Sequence, residues 1–296
     1  MSGQKKSKVT ISEILDKKRN KEKITMLTSY DYSISRICNE TNLDIVLIGD
    51  SAATVMLGYD STRKIGMTEM LTFCKGVSNA ITRPLIVADM PFGSYQTGLT
   101  NAIKNALKFL RCGCDAVKVE GGTEIVDIIK NLTAIGVPVM GHIGLQPQTT
   151  PLYHGYSSQG KTAEDALKLI GEARALEEAG VFSIVLEKVT NEVSSIIAQS
   201  VKVPIIGIGC GPNVDGQVLV IHDMLGLYKD MEPKFVKRYL DLSGQIFDAI
   251  KEYENEVKSG KFPQEEHTYH MNEEEFAKLA NSIQLESKTT FHKEVV

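Results

Sequence analysis

Four acidic residues stand where short apolar segments of the sequence end. Asp50 follows DIVLIG, Asp89 follows PLIVA, Glu120 follows AVKV and Glu187 follows SIVL. Carboxylates are seldom buried without a partner, so four such endings indicate one shared polar site at the edge of a hydrophobic sheet. In a parallel barrel all strands end on one rim, and that rim carries the active site. The pattern therefore predicts an active site at the carboxyl ends of parallel strands.

Eight apolar runs alternate with longer amphipathic segments. The runs are 24–30, 44–50, 84–90, 116–121, 137–144, 183–189, 203–209 and 218–225. The segments between them have the apolar spacing of helices, as in Ala102, Ala106 and Leu110, and an alternation of strand and helix implies parallel pairing. Runs of Val and Ile are typical of strands covered on both faces. The sequence therefore predicts an α/β fold, a (β/α)8 TIM barrel built as a single domain.

The predicted organisation is a flexible N-terminus at 1–10, a catalytic barrel at 11–260 and a C-terminal extension at 261–296 that is partly helical or mobile. A helix at 11–19 is expected to cover the barrel floor. Only about ten residues separate the seventh and eighth runs, which leaves little room for a helix, so a doubly wound open sheet is an alternative. The lack of a GxGxxG motif after the first strand, and acidic endings on strands two, three, four and six, favour the closed barrel.

Composition excludes several classes of partner. The chain has 296 residues, 42% of them hydrophobic, and its net charge of −4 comes from interspersed acids and bases, which argues against a nucleic-acid partner. No apolar stretch approaches the roughly 20 residues of a membrane span, and the polar N-terminus is unlike a signal peptide, so we expect a cytoplasmic protein without a membrane partner. An odd number of cysteines argues for reduced thiols that serve in packing, namely Cys38, Cys74, Cys112, Cys114 and Cys210.

Asp50, Asp89 and Glu120 are the candidate metal ligands. A site of carboxylates without clustered cysteines is hard and rich in oxygen, which favours Mg²⁺ or Mn²⁺ over zinc. Mg²⁺ readily keeps water ligands, so a few protein carboxylates leave positions for a substrate that brings its own oxygens, such as a 2-oxo acid. For any single acid, a salt bridge with Arg or Lys at the rim is the alternative.

Ser51 and Lys118 are candidate substrate-binding residues. Ser51 directly follows Asp50 and could hold a substrate carboxylate, although a helix cap explains a serine there equally well. Lys118 and Glu120 are two residues apart, so strand alternation places both side chains inside the barrel mouth. A lysine in that position needs an anionic partner. This partner is either the substrate carboxylate or a neighbouring acid.

Glu187 is the candidate general base, because three ligands already suffice for the metal and a spare carboxylate can take a proton beside a polarised carbonyl. Its pKa is expected to be raised at an apolar strand end, and a salt bridge with nearby lysines is the alternative. His142 could donate to the substrate or orient a carboxylate, although a lone histidine is more often structural. The glycines of GIGCG, at 207, 209 and 211, suit phosphate binding, tight packing or a bulky ligand.

A series of ordered motifs resembles the ketopantoate hydroxymethyltransferase family from about residue 10 to 270. These motifs are TSYDYS (28–33), LIGDS (47–51), GYDST (58–62), ADMPF (88–92), VKVEGG (117–122), GHIGLQPQ (141–148), GIGCG (207–211), DGQVLVIHD (215–223) and FPQEEHTYH (262–270). The sequence departs from the family pattern at Cys210 and Pro212, and the tail after His270 lies outside it.

The resemblance implies a (β/α)8 barrel that uses Mg²⁺ and 5,10-methylenetetrahydrofolate to convert 3-methyl-2-oxobutanoate into 2-dehydropantoate, in pantothenate and coenzyme A biosynthesis. By position it implies a metal site at Asp50, Asp89 and Glu120, substrate contacts from Asp50, Ser51, Asp89 and Lys118, and a proton acceptor at Glu187. The family is often decameric, so a homo-oligomer is expected.

Two alternatives to this activity remain at the level of sequence. One is a Mg²⁺-dependent 2-oxo acid lyase of the isocitrate lyase or phosphoenolpyruvate mutase type, although the chain has no KKCGH-like segment with the reactive cysteine of such lyases. The other is a catalytically silent barrel that binds a metabolite or a partner protein. A silent barrel predicts damaged site residues, whereas every expected carboxylate is present.

Overall fold

The computed structural model describes residues 7–149, 157–230 and 233–293, with side chains up to residue 283. Residues 1–6 of the predicted flexible N-terminus, and 294–296 of the predicted extension, lie outside this range. The chain divides into two compact units, Met1–Asp241 and Leu242–Val296. The boundary between these units falls after Asp241. That the catalytic domain ends at residue 260 and an extension begins at 261 remains a prediction.

The first unit contains a closed barrel of eight strands in sequence order. Each strand pairs in parallel with the next, and β8 pairs with β1. The strands are β1 Ile24–Thr28, β2 Ile45–Ile48, β3 Leu85–Asp89, β4 Ala116–Glu120, β5 Val139–Gly144, β6 Ser183–Glu187, β7 Ile205–Ile208 and β8 Gly216–Leu219. All eight predicted strands and the (β/α)8 barrel are confirmed, and the open sheet is excluded. The limits of the last run were wrong: of 218–225 only Val218 and Leu219 belong to β8, and Ile221–Met224 is helical because the N–H groups of Met224 and Leu225 bond back within a turn instead of to a neighbouring strand.

Helices surround this barrel. They are α1 Ile11–Arg19, α2 Tyr32–Glu40, α3 Ala52–Val55, α4 Met67–Ala80, α5 Leu99–Arg111, α6 Val126–Ala134, α7 Ala163–Glu178, α8 Asn191–Ser200 and α9 Ile221–Met224. No helix forms in residues 209–215 between β7 and β8, where the sequence leaves little room for one. The barrel still closes there because Gly216, the first residue of β8, lies against Ile24, and a Cβ atom would collide with the Ile24 side chain at 2.8 Å.

The strands are buried on both faces. One apolar cluster fills the barrel interior and includes Ile45, Val87 and Met140. A second cluster lies between the strands and the surrounding helices and includes Val46 and Ile86. This two-sided burial explains why the strand sequences are continuous Val and Ile runs rather than alternating ones.

Helix α1 covers the amino-terminal end of the barrel, as predicted. It begins at a capping box, in which the Thr10 hydroxyl accepts the Glu13 N–H and the Glu13 carboxylate accepts the Thr10 N–H. Its only fully buried side chain, Ile14, joins the cluster inside the barrel. Three lysines in and before α1 then form salt bridges with aspartates of the barrel floor: Lys8 with Asp115 at 2.7 Å, Lys17 with Asp44 at 3.0 Å and Lys18 with Asp215 at 2.8 Å.

Each of these aspartates also joins two neighbouring strands. They directly precede β4, β2 and β8, and each accepts a backbone N–H near the start of the adjacent strand. The donors are Ile86 to Asp115, Thr25 to Asp44 and Ile205 to Asp215. The floor aspartates are thus fully engaged, so they serve to hold strand ends together.

The second unit contains helix α10 Leu242–Ser259 and helix α11 Glu273–Lys293. Helix α11 covers NEEEFAKLANS, where the sequence suggests a helix. Large apolar side chains are exposed along α10 at helical spacing, namely Ile246, Phe247, Ile250, Tyr253 and Val257. All five cysteines are free, and four are buried, in line with a packing role. Among the described helices, none combines the length and apolarity required to cross a membrane.

We expect Lys18→Met to lower the free energy of unfolding by about 1–3 kcal/mol, because it leaves the Ala198 carbonyl and the Asp215 carboxylate without their shared donor. The matched control is Arg19→Met, whose exposed pair with Asp16 should contribute at most about 1 kcal/mol. Urea unfolding of both variants measures the difference. Equal losses would show that the barrel floor does not depend on the Lys18 contact.

Candidate active site

All seven predicted site residues line one pocket of about 340 Å³ at the carboxyl ends of the strands. They are Asp50, Ser51, Asp89, Lys118, Glu120, His142 and Glu187. Asp50 follows β2, and Asp89, Glu120 and Glu187 end β3, β4 and β6. Lys118 and His142 each lie two residues before the end of their strands, β4 and β5. The structure therefore brings together what the sequence places on five separate segments, and the individual roles remain predictions.

Lys118 is the central cation of this pocket. Its Nζ lies 2.9 Å from Asp89 Oδ1 and 3.1 Å from His142 Nδ1, and only 4% of the residue is exposed. Burial lowers the pKa of Lys118, but the carboxylates of Asp89, Glu120 and Asp50 raise it by more, so the ammonium stays charged. Lys118 therefore forms the predicted salt bridge with a neighbouring acid, Asp89, and it also lines the pocket.

The three buried carboxylates are crowded. The Asp50 N–H donates to Asp89 Oδ2 at 3.0 Å, which brings the ends of β2 and β3 together. Burial, followed by the negative charges of Glu120 and Asp89, raises the pKa of Asp50 well above its usual value. Burial also raises the pKa of Asp89, although Lys118 lowers it. Lys118 carries a single positive charge, so it cannot neutralise three ionised carboxylates.

Glu120 differs from its neighbours because the groups around it lower its pKa by more than burial raises it. Burial tends to raise its pKa, but His142, Lys118 and the backbone N–H of Gln148 lower it by more. His142 Nδ1 lies 3.3 Å from Glu120 Oε1, and the Gln148 N–H donates to Glu120 Oε2 at 3.0 Å. The carboxylate of Glu120 is thus fixed in its ionised form.

Glu187 stands across His142 from this cluster. His142 Nε2 lies 3.5 Å from Glu187 Oε2, and the Glu187 side chain is 19% exposed, more than any acid of the cluster. Burial raises the pKa of Glu187 to about 7, while His142 and the lysines at 118 and 188 lower it and Glu120 raises it. The direction agrees with the expected shift. A carboxyl group that titrates near neutral pH and opens to the pocket suits a general base.

Gln148 is a site residue to which sequence analysis assigned no role. It is 1% exposed, and its Nε2 donates to Asp50 Oδ2 at 2.8 Å and to the Met90 carbonyl at 3.1 Å. Its Oε1 lies 3.0 Å from the Tyr95 hydroxyl, which also accepts the Glu120 N–H. Gln148 therefore holds the loops after β2, β3 and β4 in register. Gln148 is the last residue of the GHIGLQPQ motif, but its role could not be found from the sequence because its partners are distant in the chain.

Ser51 does not cap helix α3, although it stands at the cap position. Its hydroxyl instead bonds the Tyr30 hydroxyl at 2.8 Å. The Tyr30 ring packs against His222, with ring centroids 5.4 Å apart. The helix-cap alternative is therefore wrong, and Ser51 is one of the residues that line the pocket.

The glycines of GIGCG are required by packing. Gly209 and Gly211 have φ of 71° and 77°, in the left-handed region that favours glycine. A Cβ atom on Gly209 would meet the Phe235 ring at 2.9 Å. Both glycines line a second cavity of about 1040 Å³ that shares Lys188 and Phe235 with the carboxylate pocket. The larger cavity lacks the acidic cluster, so the chemistry belongs to the smaller one.

The donor set suits a divalent cation that takes few protein ligands. Within the described residues, no three His, Cys, Asp or Glu side chains form a ready metal-binding group. Mg²⁺ is commonly bound by one or two carboxylates while water and substrate oxygens complete its shell. Burial is the main reason that the pKa of Asp50 is raised, and a cation beside Asp50 and Asp89 would relieve the repulsion from Glu120 and Asp89 that adds to it. The full ligand set of Asp50, Asp89 and Glu120 remains a prediction.

The fold and the pocket define a (β/α)8-barrel enzyme with its acid–base groups at the carboxyl ends of the strands. Residues 8–265 match the sequence model of the ketopantoate hydroxymethyltransferase family, and the chain belongs to that family. A 3-methyl-2-oxobutanoate hydroxymethyltransferase of Nitrosopumilus maritimus is 47% identical over 274 residues, which cover 93% of this chain and 98% of the relative. The same enzyme of Sulfurisphaera tokodaii is 50% identical over 260 residues, 88% and 97% of the two chains.

Solved structures share the fold at much lower identity. A phosphonopyruvate hydrolase in complex with oxalate and Mg²⁺ superposes with a TM-score of 0.57 at 12% identity, covering 94% of this chain and 96% of that chain. A 2,3-dimethylmalate lyase of the phosphoenolpyruvate mutase and isocitrate lyase superfamily gives 0.54 at 16% identity, with 94% and 98% covered. These likenesses show a common barrel architecture. The family match favours the hydroxymethyltransferase over the lyase and over the silent barrel.

Proposed function

We propose that this enzyme transfers a hydroxymethyl group from 5,10-methylenetetrahydrofolate to 3-methyl-2-oxobutanoate and so forms 2-dehydropantoate, a step of pantothenate and coenzyme A biosynthesis. The family membership supports the reaction. The observation that carries the assignment of roles is the position of Glu187, a carboxylate with a raised pKa that faces the carboxylate–lysine cluster across His142. We also propose a cytoplasmic location, which suits five free cysteines.

The substrate carboxylate binds among the polar groups at the ends of β2 and β4. The ammonium of Lys118 supplies positive charge, and the Ser51 hydroxyl, oriented by Tyr30, supplies a hydrogen bond. Asp50 and Asp89 would hold Mg²⁺, with Glu120 beside them. When bound, Mg²⁺ supplies Lewis-acid polarisation of the keto group, which makes the hydrogen on the adjacent C3 more acidic.

Glu187 takes the C3 proton. His142 lies between Glu187 and Glu120, so it separates the two carboxylates. The resulting carbanion attacks the methylene carbon carried by the folate. A carbon–carbon bond forms, both bonds from the methylene carbon to folate N5 and N10 break, and water supplies the hydroxyl oxygen. The two folate nitrogens take up the proton from Glu187 and one proton from that water. Tetrahydrofolate leaves.

We expect Glu187→Gln to slow the exchange of the C3 hydrogen of 3-methyl-2-oxobutanoate with D₂O by roughly 10²–10⁴-fold, because general-base catalysis contributes about that much. The assay contains Mg²⁺ and no folate, and NMR follows deuterium uptake. Only ionised Glu187 accepts a proton, so the wild-type rate should rise with pH through about 7. The control is Glu178→Gln, an exposed residue at the end of α7. Unchanged exchange in Glu187→Gln would remove this residue from the base role.

The proposal of a Mg²⁺ cofactor predicts that chelation abolishes the same exchange and that added Mg²⁺ restores it. Titration calorimetry should also detect Mg²⁺ binding to the wild type and at least tenfold weaker binding to Asp89→Asn, which loses one carboxylate oxygen and its charge. Asp127→Asn, an exposed acid in the first turn of α6, is the matched control. Full exchange in metal-free protein would contradict the cofactor assignment.

We propose that the enzyme is a homo-oligomer, a decamer by family resemblance. The exposed apolar row on α10 supports association, because soluble chains rarely leave such a row in water. We expect a native mass ten times the chain mass of 32.5 kDa. Phe247→Glu, which places a charge in that row, should give a smaller species. Native mass spectrometry measures both. A wild-type mass of one chain would rule the proposal out.

A further inference from the structure

The active-site pocket has two chemically different sides. The side formed by β2 to β6 carries the carboxylates, Lys118 and His142. The opposite side follows β7 and β8, and apolar groups line it: Ile208, Leu219, Val220, Pro233 and Phe235. On that side, among the described lining residues, the one acid is Asp223. A small 2-oxo acid is bound by the polar side, so the apolar side remains for a second, flatter molecule.

The fold holds Asp223 firmly in this apolar side. It lies in α9, whose first N–H, that of Ile221, donates to the Thr28 hydroxyl at 2.9 Å. The adjacent His222 is buried against Tyr30, and its carbonyl accepts the Leu227 N–H at 2.8 Å. The position of the Asp223 backbone is therefore fixed on both sides by contacts with the barrel and with the loop that follows.

The carboxylate of Asp223 has no hydrogen-bond or salt-bridge partner among the described residues. It is only partly exposed, and burial raises its pKa to about 6, while Arg238 lowers the pKa by less. A partly buried carboxylate without a hydrogen-bond donor is costly, whereas Asp50 and Glu120 receive donors from Gln148. A ligand that brings its own donors would offset that cost.

We propose that the apolar side of the pocket binds the pterin ring of the folate and that Asp223 accepts hydrogen bonds from the ring N3–H and 2-amino group. This inference rests on the proposed function. The two donors of that pterin edge point the same way, as those of a guanidinium do, so a carboxylate can accept both. Phe235 offers an aromatic surface for a planar ring. The methylene carbon would then meet C3 of the 2-oxo acid between the two sides.

The first test is Asp223→Asn, which keeps the size of the side chain but turns one acceptor into a donor that faces the pterin donors. We expect the KM for 5,10-methylenetetrahydrofolate to rise roughly 10- to 100-fold, the loss that follows when a charged hydrogen-bond pair is broken. The folate-independent exchange of the C3 hydrogen should stay within twofold of the wild type. Asp127→Asn is the matched control and should change neither quantity.

The second test identifies the group that Asp223 contacts. Calorimetry compares tetrahydrofolate with an analogue in which a methyl group replaces the pterin 2-amino group. The wild type should bind the analogue at least tenfold more weakly than tetrahydrofolate, whereas Asp223→Asn should discriminate less than threefold. If Asp223→Asn does not fold, the comparison of the two ligands on the wild type still shows whether the pterin 2-amino group is bound. Phe235→Leu should bind tetrahydrofolate more weakly if the Phe235 ring packs against the pterin.

Three results would overturn the inference: an unchanged KM in Asp223→Asn, equal affinity of the wild type for the two ligands, or a loss of C3 exchange in Asp223→Asn, which would place the residue with the 2-oxo acid. Failure of the proposed function is a different outcome. In that case the wild type itself would show neither C3 exchange nor formation of 2-dehydropantoate.

Discussion

The contact between Lys118 and the buried carboxylates is the interaction on which the site depends. Asp50, Asp89 and Glu120 are almost completely buried at neighbouring strand ends, and Lys118 is the cation placed among them. Desolvated carboxylates repel one another strongly in a protein interior, and the ammonium lowers the pKa of all three, although the pKa of Asp50 still stays well above its usual value. Beyond His142, burial raises the pKa of Glu187, and the charge of Glu120 adds to that shift.

The two ends of the barrel use acidic residues in opposite ways. At the amino-terminal end, Asp44, Asp115 and Asp215 each receive a lysine and a backbone N–H, so their charge is balanced and they tie strands together. At the carboxyl end the acids face one another and share few donors. This difference follows the general division of the fold, in which one end provides stability and the other end provides chemistry.

The same architecture carries different chemistries in the solved structures that superpose on this chain at 12–16% identity. The barrel supplies a rim on which side chains from separate strands converge, and the particular side chains decide the reaction. Here the rim is polar over β2 to β6 and apolar over β7 and β8. A barrel with one polar and one apolar side is suited to bring a small charged acid against a larger planar carrier.

The sequence by itself determined the barrel, its eight strands, the helix on its floor and seven of the residues that line the pocket, because strand periodicity and strand-end acids are local signals. It did not determine that Ser51 bonds Tyr30 instead of capping a helix, nor that Gln148 links Asp50 to Glu120, because those partners are separated by 21, 98 and 28 residues. Nor could it show that Asp223 stands without a donor in an apolar wall. Only the closed barrel decided these contacts, because hydrogen bonding and burial depend on distances between segments that the order of residues does not specify.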